Sequence, residues 1–179
     1  MLNDKEKNEE DQVIPIHAMA FFSVSRDGEF HQLLQYDYYD PECYYLNLGK
    51  EEFIEEIRKL WLNMQGFLEE ETNKVNQKMV YPQVKFCDIQ HRGIRESPFI
   101  SWIIGFKGEF QEGVNVYETH TEEEQLEYDC YAIWEFPQNT KIIKVQTKLY
   151  HDIFGNRIVL WADKDMTIGG NEKIRFELV

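Results

Sequence analysis

Residues 115–136, NVYETHTEEEQLEYDCYAIWEF, place an acidic run between two segments in which apolar and polar side chains alternate. Alternation with a period of two is typical of a half-buried strand, so this stretch predicts a β-hairpin whose turn centres on Glu123. In one register, Glu118 and His120 share the apolar face of the hairpin with Tyr128. In the register shifted by one residue, Glu118 and His120 both face solvent. The sequence leaves both registers open.

Glu118 and His120 have two interpretations, which depend on this register. If they face inward, a carboxylate and a histidine two residues apart on one side of a strand can act as an acid/base pair or as metal ligands. An ionised carboxylate is costly to bury without a partner, so this arrangement requires a hydrogen bond, a cation or a wet pocket. If they face outward, the segment HTEEEQ is a solvated turn whose charges keep a sheet edge soluble, which is the simpler explanation.

Residues 50–73 predict a long amphipathic helix. Apolar side chains recur there every three or four positions, which places them on one face of a helix with 3.6 residues per turn. A helix with a continuous apolar stripe must pack against another element, and candidate strands precede and follow it in the sequence. The stripe consists of Phe53, Ile57, Leu60, Trp61, Met64, Phe67 and Leu68.

Short segments rich in apolar and aromatic residues, separated by turn sequences, account for most of the remaining chain. VIPIHAMAFFSVS (13–25) and EFHQLLQYDYY (29–39) flank the turn signal RDG and predict an N-terminal hairpin. Seven further candidate strands follow the helix. The expected fold class is therefore α+β, with one long amphipathic helix packed on a curved, mostly antiparallel, meander-like β-sheet.

Composition and charge predict a soluble, unsecreted protein. Residues 1–12 are charged and almost devoid of apolar side chains, so we expect a disordered tail there, followed by a single α+β domain at 13–179. Nineteen Lys and Arg against 33 Asp and Glu give a formal net charge of −14, which disfavours binding to nucleic acid or to an anionic membrane. No apolar run is long enough to span a bilayer.

The three cysteines predict a reducing, cytoplasmic setting. Cys43, Cys87 and Cys130 are odd in number and contain no C-x-x-C pair, so they suggest neither a disulfide framework nor a zinc ribbon. Cys130 alternates in phase with the core positions of its strand and is expected to be packed. Cys87 has the opposite phase to Val84 and Phe86 and is expected to be more exposed.

The segment HRGIRESP (91–98) concentrates positive charge in an otherwise acidic protein. Loops between strands commonly carry binding residues, and two guanidinium groups can clamp a carboxylate or a phosphate. His91, Arg92 and Arg95, together with Tyr128, are therefore the predicted ligand-binding residues. The alternative is that the arginines pair with acidic neighbours on the surface.

The sequence lacks the short motifs that are typical of several classes of enzyme and of nucleotide-binding proteins. The sequence contains no G-x-S-x-G elbow, no H-E-x-x-H, no Walker loop and no dinucleotide fingerprint. We therefore expect a noncatalytic module that binds a protein partner or a small molecule, without a cofactor, and a homodimer is one form that the partner can take. The alternative is a small hydrolase or metal-assisted lyase in which Glu118 and His120 act as acid, base or metal ligands.

Overall fold

A computed structural model describes residues 13–178 of the 179-residue chain. The predicted tail at residues 1–12 lies outside the described residues. The elements, in chain order, are β1 (Ile14–Val24), β2 (Glu29–Tyr39), α1 (Tyr44–Asn47), α2 (Lys50–Glu70), β3 (Thr72–Val75), β4 (Lys78–Val80), β5 (Gln83–His91), β6 (Pro98–Lys107), β7 (Gly113–Gln125), β8 (Asp129–Glu135), β9 (Lys141–Gln146), β10 (Tyr150–Phe154), β11 (Arg157–Ala162) and β12 (Thr167–Leu178).

The strands form two separate sheets. The large sheet has seven strands in the order β10-β11-β8-β1-β2-β6-β5, and the small sheet has five in the order β4-β3-β7-β12-β9. Neighbouring strands run antiparallel in both sheets except β1 and β8, which are parallel. Consecutive strands β7 and β8 lie in different sheets, so the chain crosses from one sheet to the other between them.

One face of the large sheet, called the inner face here, meets both the small sheet and helix α2. On β6, the alternating side chains of Ile100, Trp102, Ile104 and Phe106 are all buried on this face. Phe106 belongs to the main core between the two sheets, whereas the other three belong to a second cluster beneath α2. The main core therefore results from sheet-on-sheet packing, and its buried members all come from strands or from the residue that follows β8.

Helix α2 covers the β5 and β6 side of the inner face with the predicted apolar stripe. Its first turn is capped because the Gly49 backbone N–H donates to Glu52 Oε2 at 2.7 Å. The helix ends at Glu70, earlier than the expected limit at residue 73, because Glu71 has an extended backbone and Thr72 begins β3.

The predicted fold class is wrong. The protein is predominantly β, with 58% of the described residues in strands and 15% in helices, and it contains two sheets rather than a long helix packed on one sheet. Alternation shows that a strand has an apolar face but does not show what covers that face. Here the small sheet supplies most of the cover, and α2 covers the remainder of the inner face.

The two predicted hairpins have opposite outcomes. The N-terminal hairpin is confirmed, since β1 pairs with β2 in antiparallel register. The hairpin expected at residues 115–136 does not form: β7 pairs with β3 and β12, while β8 pairs with β1 and β11. Glu123 consequently lies within a long strand rather than at the centre of a turn.

Candidate functional site

A partly open cavity of about 670 Å³ lies between the inner face of the large sheet, helix α2 and the small sheet. Protein interiors are normally close-packed, with few spaces larger than a water molecule, so a space of this size is not an ordinary packing defect. Pockets that hold small molecules commonly measure roughly 300–1,000 Å³. The cavity is therefore the candidate functional site.

Aromatic side chains of the large sheet form one wall of the cavity. Phe22 of β1 and Trp134 of β8 stack with ring centroids 3.9 Å apart and an interplanar angle of 5°. Tyr36 of β2 meets Trp102 of β6 edge to face at 5.8 Å. Because these rings pack against one another on neighbouring strands, the wall is held in shape by its own contacts.

Helix α2 supplies a second wall through Leu60, Met64 and Phe67. Their spacing of four and three residues places them along one side of the helix. Phe67 is 63% exposed although it lines the cavity, which places it where the cavity opens to solvent. The opening is therefore bordered by an apolar side chain.

The small sheet forms the third wall, and its deeper part is apolar. Ile174 of β12 lies opposite Tyr117 of β7 on one side and Val145 of β9 on the other. All three line the cavity, and Tyr117 and Ile174 are also part of the main core. The deeper part of this wall is therefore formed by residues that also belong to the packed core between the sheets.

The next row on the same face of the small sheet is polar. Thr119 of β7 lies opposite Asn73 of β3 and Glu172 of β12. Asn73 Nδ2 donates to Glu71 Oε2 at 3.3 Å, and the Thr147 hydroxyl donates to Glu172 Oε1. All five residues line the cavity, so one end of a mostly apolar space carries the carboxyl groups of Glu71 and Glu172. The exposed Glu124 and the partly buried Lys173 also line the cavity.

Burial shifts the titration of both carboxyl groups in the same direction. It is the largest factor that raises the pKa of Glu71, and the charge of Glu172 raises that pKa further while the hydrogen bond from Asn73 opposes the rise. Burial also raises the pKa of Glu172, against the hydrogen bond from Thr147 and the nearby charge of Lys148. Both groups therefore resist ionisation more than carboxyls in water do.

Tyr128 is the one predicted ligand-binding residue that lines the cavity. Its ring meets that of Tyr36 edge to face at 5.9 Å, and the two phenol groups are hydrogen-bonded. Burial raises the pKa of Tyr128, so the phenol stays protonated in neutral solution. Tyr128 can therefore offer a hydroxyl group to a molecule in the cavity, and its role in ligand binding stays a prediction.

Glu118 and His120 lie on the other face of the small sheet, away from the cavity. On β7 they alternate with Tyr117 and Thr119, which face inward. Glu118 Oε1 pairs with Lys173 Nζ at 2.5 Å, and His120 is exposed. The structure thus places this pair in the outward orientation that the sequence left open.

His91, Arg92 and Arg95 also lie outside the cavity lining. Arg92 Nε donates to Asp37 Oδ1 at 3.0 Å, and the Arg92 guanidinium sits 4.6 Å from the centroid of the Phe99 ring. Arg95 is exposed, and His91 is half-buried with no hydrogen-bond partner for Nε2 among the described residues. The Arg92 arrangement matches the alternative interpretation of this segment, in which arginine pairs with an acidic neighbour.

Sequence reasoning missed the polar row of the small sheet. Glu71 and Asn73 fell within the limits of the predicted helix, and Glu172 was not among the candidate site residues. The sequence does contain a signal for Glu172. The alternation of Ile174, Phe176 and Leu178, extended backwards by two positions, places Glu172 on the face of the small sheet that carries these apolar residues.

Residues 13–178 contain neither a cluster of metal-ligating side chains nor a membrane-spanning helix. No group of three or more His, Cys, Asp or Glu side chains in this part of the chain is arranged to hold a metal ion. No helix in the same range is long and apolar enough to cross a membrane.

Comparisons with known proteins assign no family. No family model matches the sequence, and no curated protein matches it. Among solved structures, a "putative protease" from Parabacteroides distasonis aligns with 93% of this chain and 40% of its own, at 5% identity and a TM-score of 0.32. AChBP from Bulinus truncatus aligns over 92% of this chain and 88% of its own, at 10% identity and a TM-score of 0.31. This chain thus spans less than half the length of the first of these structures.

Proposed function

We propose that the protein is a noncatalytic binding module that holds a small, largely apolar molecule in the cavity between its two sheets and helix α2. The observation that carries this proposal is the cavity of about 670 Å³, with aromatic side chains on one wall and apolar side chains on the other two. Binding is favourable because the free energy of the system falls when an apolar molecule replaces water against such a surface.

The way the cavity is built supports binding rather than catalysis. Most of its wall residues belong to strands and to a 21-residue helix, which hold their side chains in fixed positions. Among the described residues that line it there is no histidine or cysteine to act as a base or nucleophile. The Glu118 and His120 pair required by the hydrolase or lyase alternative faces away from it.

A fluorescent probe tests the proposal. N-phenyl-1-naphthylamine is neutral and apolar, and its emission rises when it leaves water. We expect saturable binding of one probe per chain, with displacement by 1-decanol. An Ala132→Trp variant should abolish binding, because Ala132 lines the cavity on β8 and a bulky side chain there fills the space.

Tyr131→Ser is the matched control, because Tyr131 is next to Ala132 on β8 but is exposed on the opposite face of the large sheet. Binding that survives Tyr131→Ser and is lost in a folded Ala132→Trp variant supports the cavity as the site. The proposal is contradicted if the probe fails to bind, or if binding is lost in Tyr131→Ser and survives in Ala132→Trp.

The cytoplasmic setting belongs to the same proposal. Cys43, Cys87 and Cys130 are free thiols, which suits a reducing compartment. The formal net charge of −14 supports a module that binds neither nucleic acid nor an anionic membrane.

The protein partner that we propose is a second copy of the chain. Exposed Leu33, Ile103 and Phe86 lie next to one another across β2, β6 and β5 on the outer face of the large sheet, and Phe21 of β1 continues the row. Contiguous apolar patches of this kind mark interaction surfaces. Sedimentation velocity should show a dimer that dissociates in Leu33→Lys; a monomeric wild-type protein would exclude this partner.

A further inference from the structure

We infer that the molecule held in the cavity carries a protonated amine, which binds between Glu71 and Glu172 while its apolar part lies against the aromatic wall. This inference rests on the proposed binding function and names the chemical class of the ligand. It follows from the carboxyl groups of Glu71 and Glu172 at one end of the cavity and from their oxygen atoms that lack donors. A buried indole N–H without an acceptor indicates, separately, that the cavity takes a polar ligand atom.

The two carboxyl groups belong to one polar end of the cavity. Asn73 and Glu172 flank Thr119 on neighbouring strands of the small sheet, and Glu71 lies two residues before Asn73 on the same side of the chain. The charge of Glu172 is one of the factors that raise the pKa of Glu71, which agrees with the placement of both groups at this end of the cavity. A group placed between them can therefore interact with both.

Each carboxyl group keeps one oxygen free for a ligand. Glu71 Oε2 accepts from Asn73, and Glu172 Oε1 accepts from Thr147. Within residues 13–178, no hydrogen bond reaches Glu71 Oε1 or Glu172 Oε2, and neither carboxyl group forms an ion pair. The nearby Lys148 ammonium is paired with Glu123 Oε1 at 2.7 Å instead.

An alkylammonium group matches this arrangement. It carries a positive charge and up to three N–H donors, so it can satisfy both free oxygens at once. Carboxylates in an apolar cavity have lost part of their hydration, and a buried cation restores the lost stabilisation better than a neutral group does. Burial is the largest cause of the raised pKa of both groups, and of the two only Glu172 has its pKa lowered by a nearby cation, Lys148. An ammonium group bound between the two carboxyls would lower the pKa of both.

Trp102 gives an independent indication that the cavity accepts a polar ligand atom. It lines the same cavity, is 3% exposed, and its indole Nε1 has no hydrogen-bond acceptor among the described residues. Buried donors of this kind normally find a partner. An amine with a hydroxyl or carbonyl oxygen in its apolar part offers such an acceptor.

Three ligands of equal chain length test the inference by isothermal titration calorimetry at pH 7, each used below its micelle concentration: decylamine, 1-decanol and decanoate. We expect decylamine to bind at least about tenfold more tightly than 1-decanol, and decanoate to bind most weakly, because tenfold corresponds to the gain expected from one charge-assisted contact. In the double variant Glu71→Gln/Glu172→Gln, decylamine should lose about tenfold in affinity while the affinity for 1-decanol stays the same.

Glu118→Gln is the matched control, since it removes a carboxylate from the opposite face of the same sheet and should change none of the three affinities. If the double variant does not fold, each single variant is measured instead and should show part of the loss. Equal affinities for 1-decanol and decylamine would overturn the amine inference and leave the proposed function intact. If none of the three ligands binds, the proposed function itself fails.

Discussion

The Tyr117 hydroxyl donates a hydrogen bond to Asn73 Oδ1 at 2.7 Å, which joins β7 to β3 at the boundary between the apolar and polar rows of the cavity. Asn73 is 2% exposed, and its amide nitrogen donates in turn to Glu71. The main core is thus connected to the polar end of the cavity through one buried hydrogen-bond chain. A rigid connection of this kind positions Glu71 before any ligand arrives.

Removal of the Tyr117 hydroxyl should destabilise the protein. Tyr117→Phe leaves Asn73 Oδ1 buried without a donor, so we expect the free energy of unfolding to fall by about 1–3 kcal/mol. Urea denaturation measures the change. Tyr131→Phe, at an exposed site on β8, is the control and should stay within about 0.5 kcal/mol of wild type. Equal effects of the two variants would show that the Tyr117 bond adds no stability.

The pH dependence of stability should reveal the buried carboxyl at Glu71. A carboxyl whose pKa is raised by folding contributes stability that is fully present below its unfolded pKa, near 4.5, and is lost as the pH rises through its folded pKa. Glu71→Gln removes this loss while Asn73 can still donate to the amide oxygen. The variant should therefore be more stable than wild type at pH 7, with a smaller advantage at pH 4.

Urea denaturation at the two pH values measures this difference. Glu127→Gln, at an exposed position between β7 and β8, is the control and should show no comparable change between pH 4 and pH 7. An advantage of Glu71→Gln that grows towards acid pH would have the wrong sign for a carboxyl with a raised pKa.

Two glycines should respond in opposite ways to alanine substitution. Gly66 lies inside α2, and a Cβ added there meets no atom within 4 Å, so Gly66→Ala should raise the free energy of unfolding by about 0.5–1 kcal/mol. Gly28 has φ +84°, and a Cβ there would lie 2.1 Å from the Gly108 carbonyl oxygen. Gly28→Ala should therefore destabilise the protein by more than about 1 kcal/mol. Thermal unfolding of both variants checks the two signs.

Substitution of the outward pair on β7 should have little effect. Glu118 and Lys173 form a partly exposed ion pair, so Glu118→Gln should reduce the free energy of unfolding by less than about 1 kcal/mol. His120→Ala, at an exposed position, should be close to neutral. Loss of ligand binding in either variant, measured with the fluorescent probe, would contradict this prediction and show that Glu118 or His120 contributes to binding.

Local pattern predicted individual elements well and their assembly poorly. The stripe from Phe53 to Leu68 located α2, and the RDG turn located the first hairpin, because both signals depend on residues near one another in sequence. The failure at residues 115–136 has a different origin. An acidic run between two alternating segments suits a tight turn, but the same alternation also suits a long strand whose partners lie far away in the sequence.

The prediction for Cys87 failed because of a register shift in β5, although the alternation around it was recognised correctly. The pairing of β5 with β6 shifts register between Val84 and Phe86, so Val84 and Cys87 both face inward while Phe86 is exposed. The expectation that Cys87 is the more exposed thiol is therefore wrong: it is 7% exposed, and burial raises its pKa to about 12. Cys130, expected to be packed, is half-buried.

The existence of the cavity could not be predicted from the alternation of apolar and polar residues along the sequence. Its walls come from both sheets and from α2, so its existence depends on how three distant parts of the chain are placed. Tyr128 was selected from the sequence for its place in a hairpin that does not form, although it does line the cavity.

Fluorine NMR of protein labelled with 5-fluorotryptophan, titrated with 1-decanol, tests ligand binding in the cavity most directly. The chain has four tryptophans: Trp102 and Trp134 line the cavity, whereas Trp61 on α2 and Trp161 on β11 lie outside its lining. If the ligand binds in the cavity, we expect the Trp102 and Trp134 resonances to shift together and to saturate with a single dissociation constant. The Trp161 resonance should stay in place. A shift of Trp161 alone, or no shift at any tryptophan, would contradict ligand binding in the cavity.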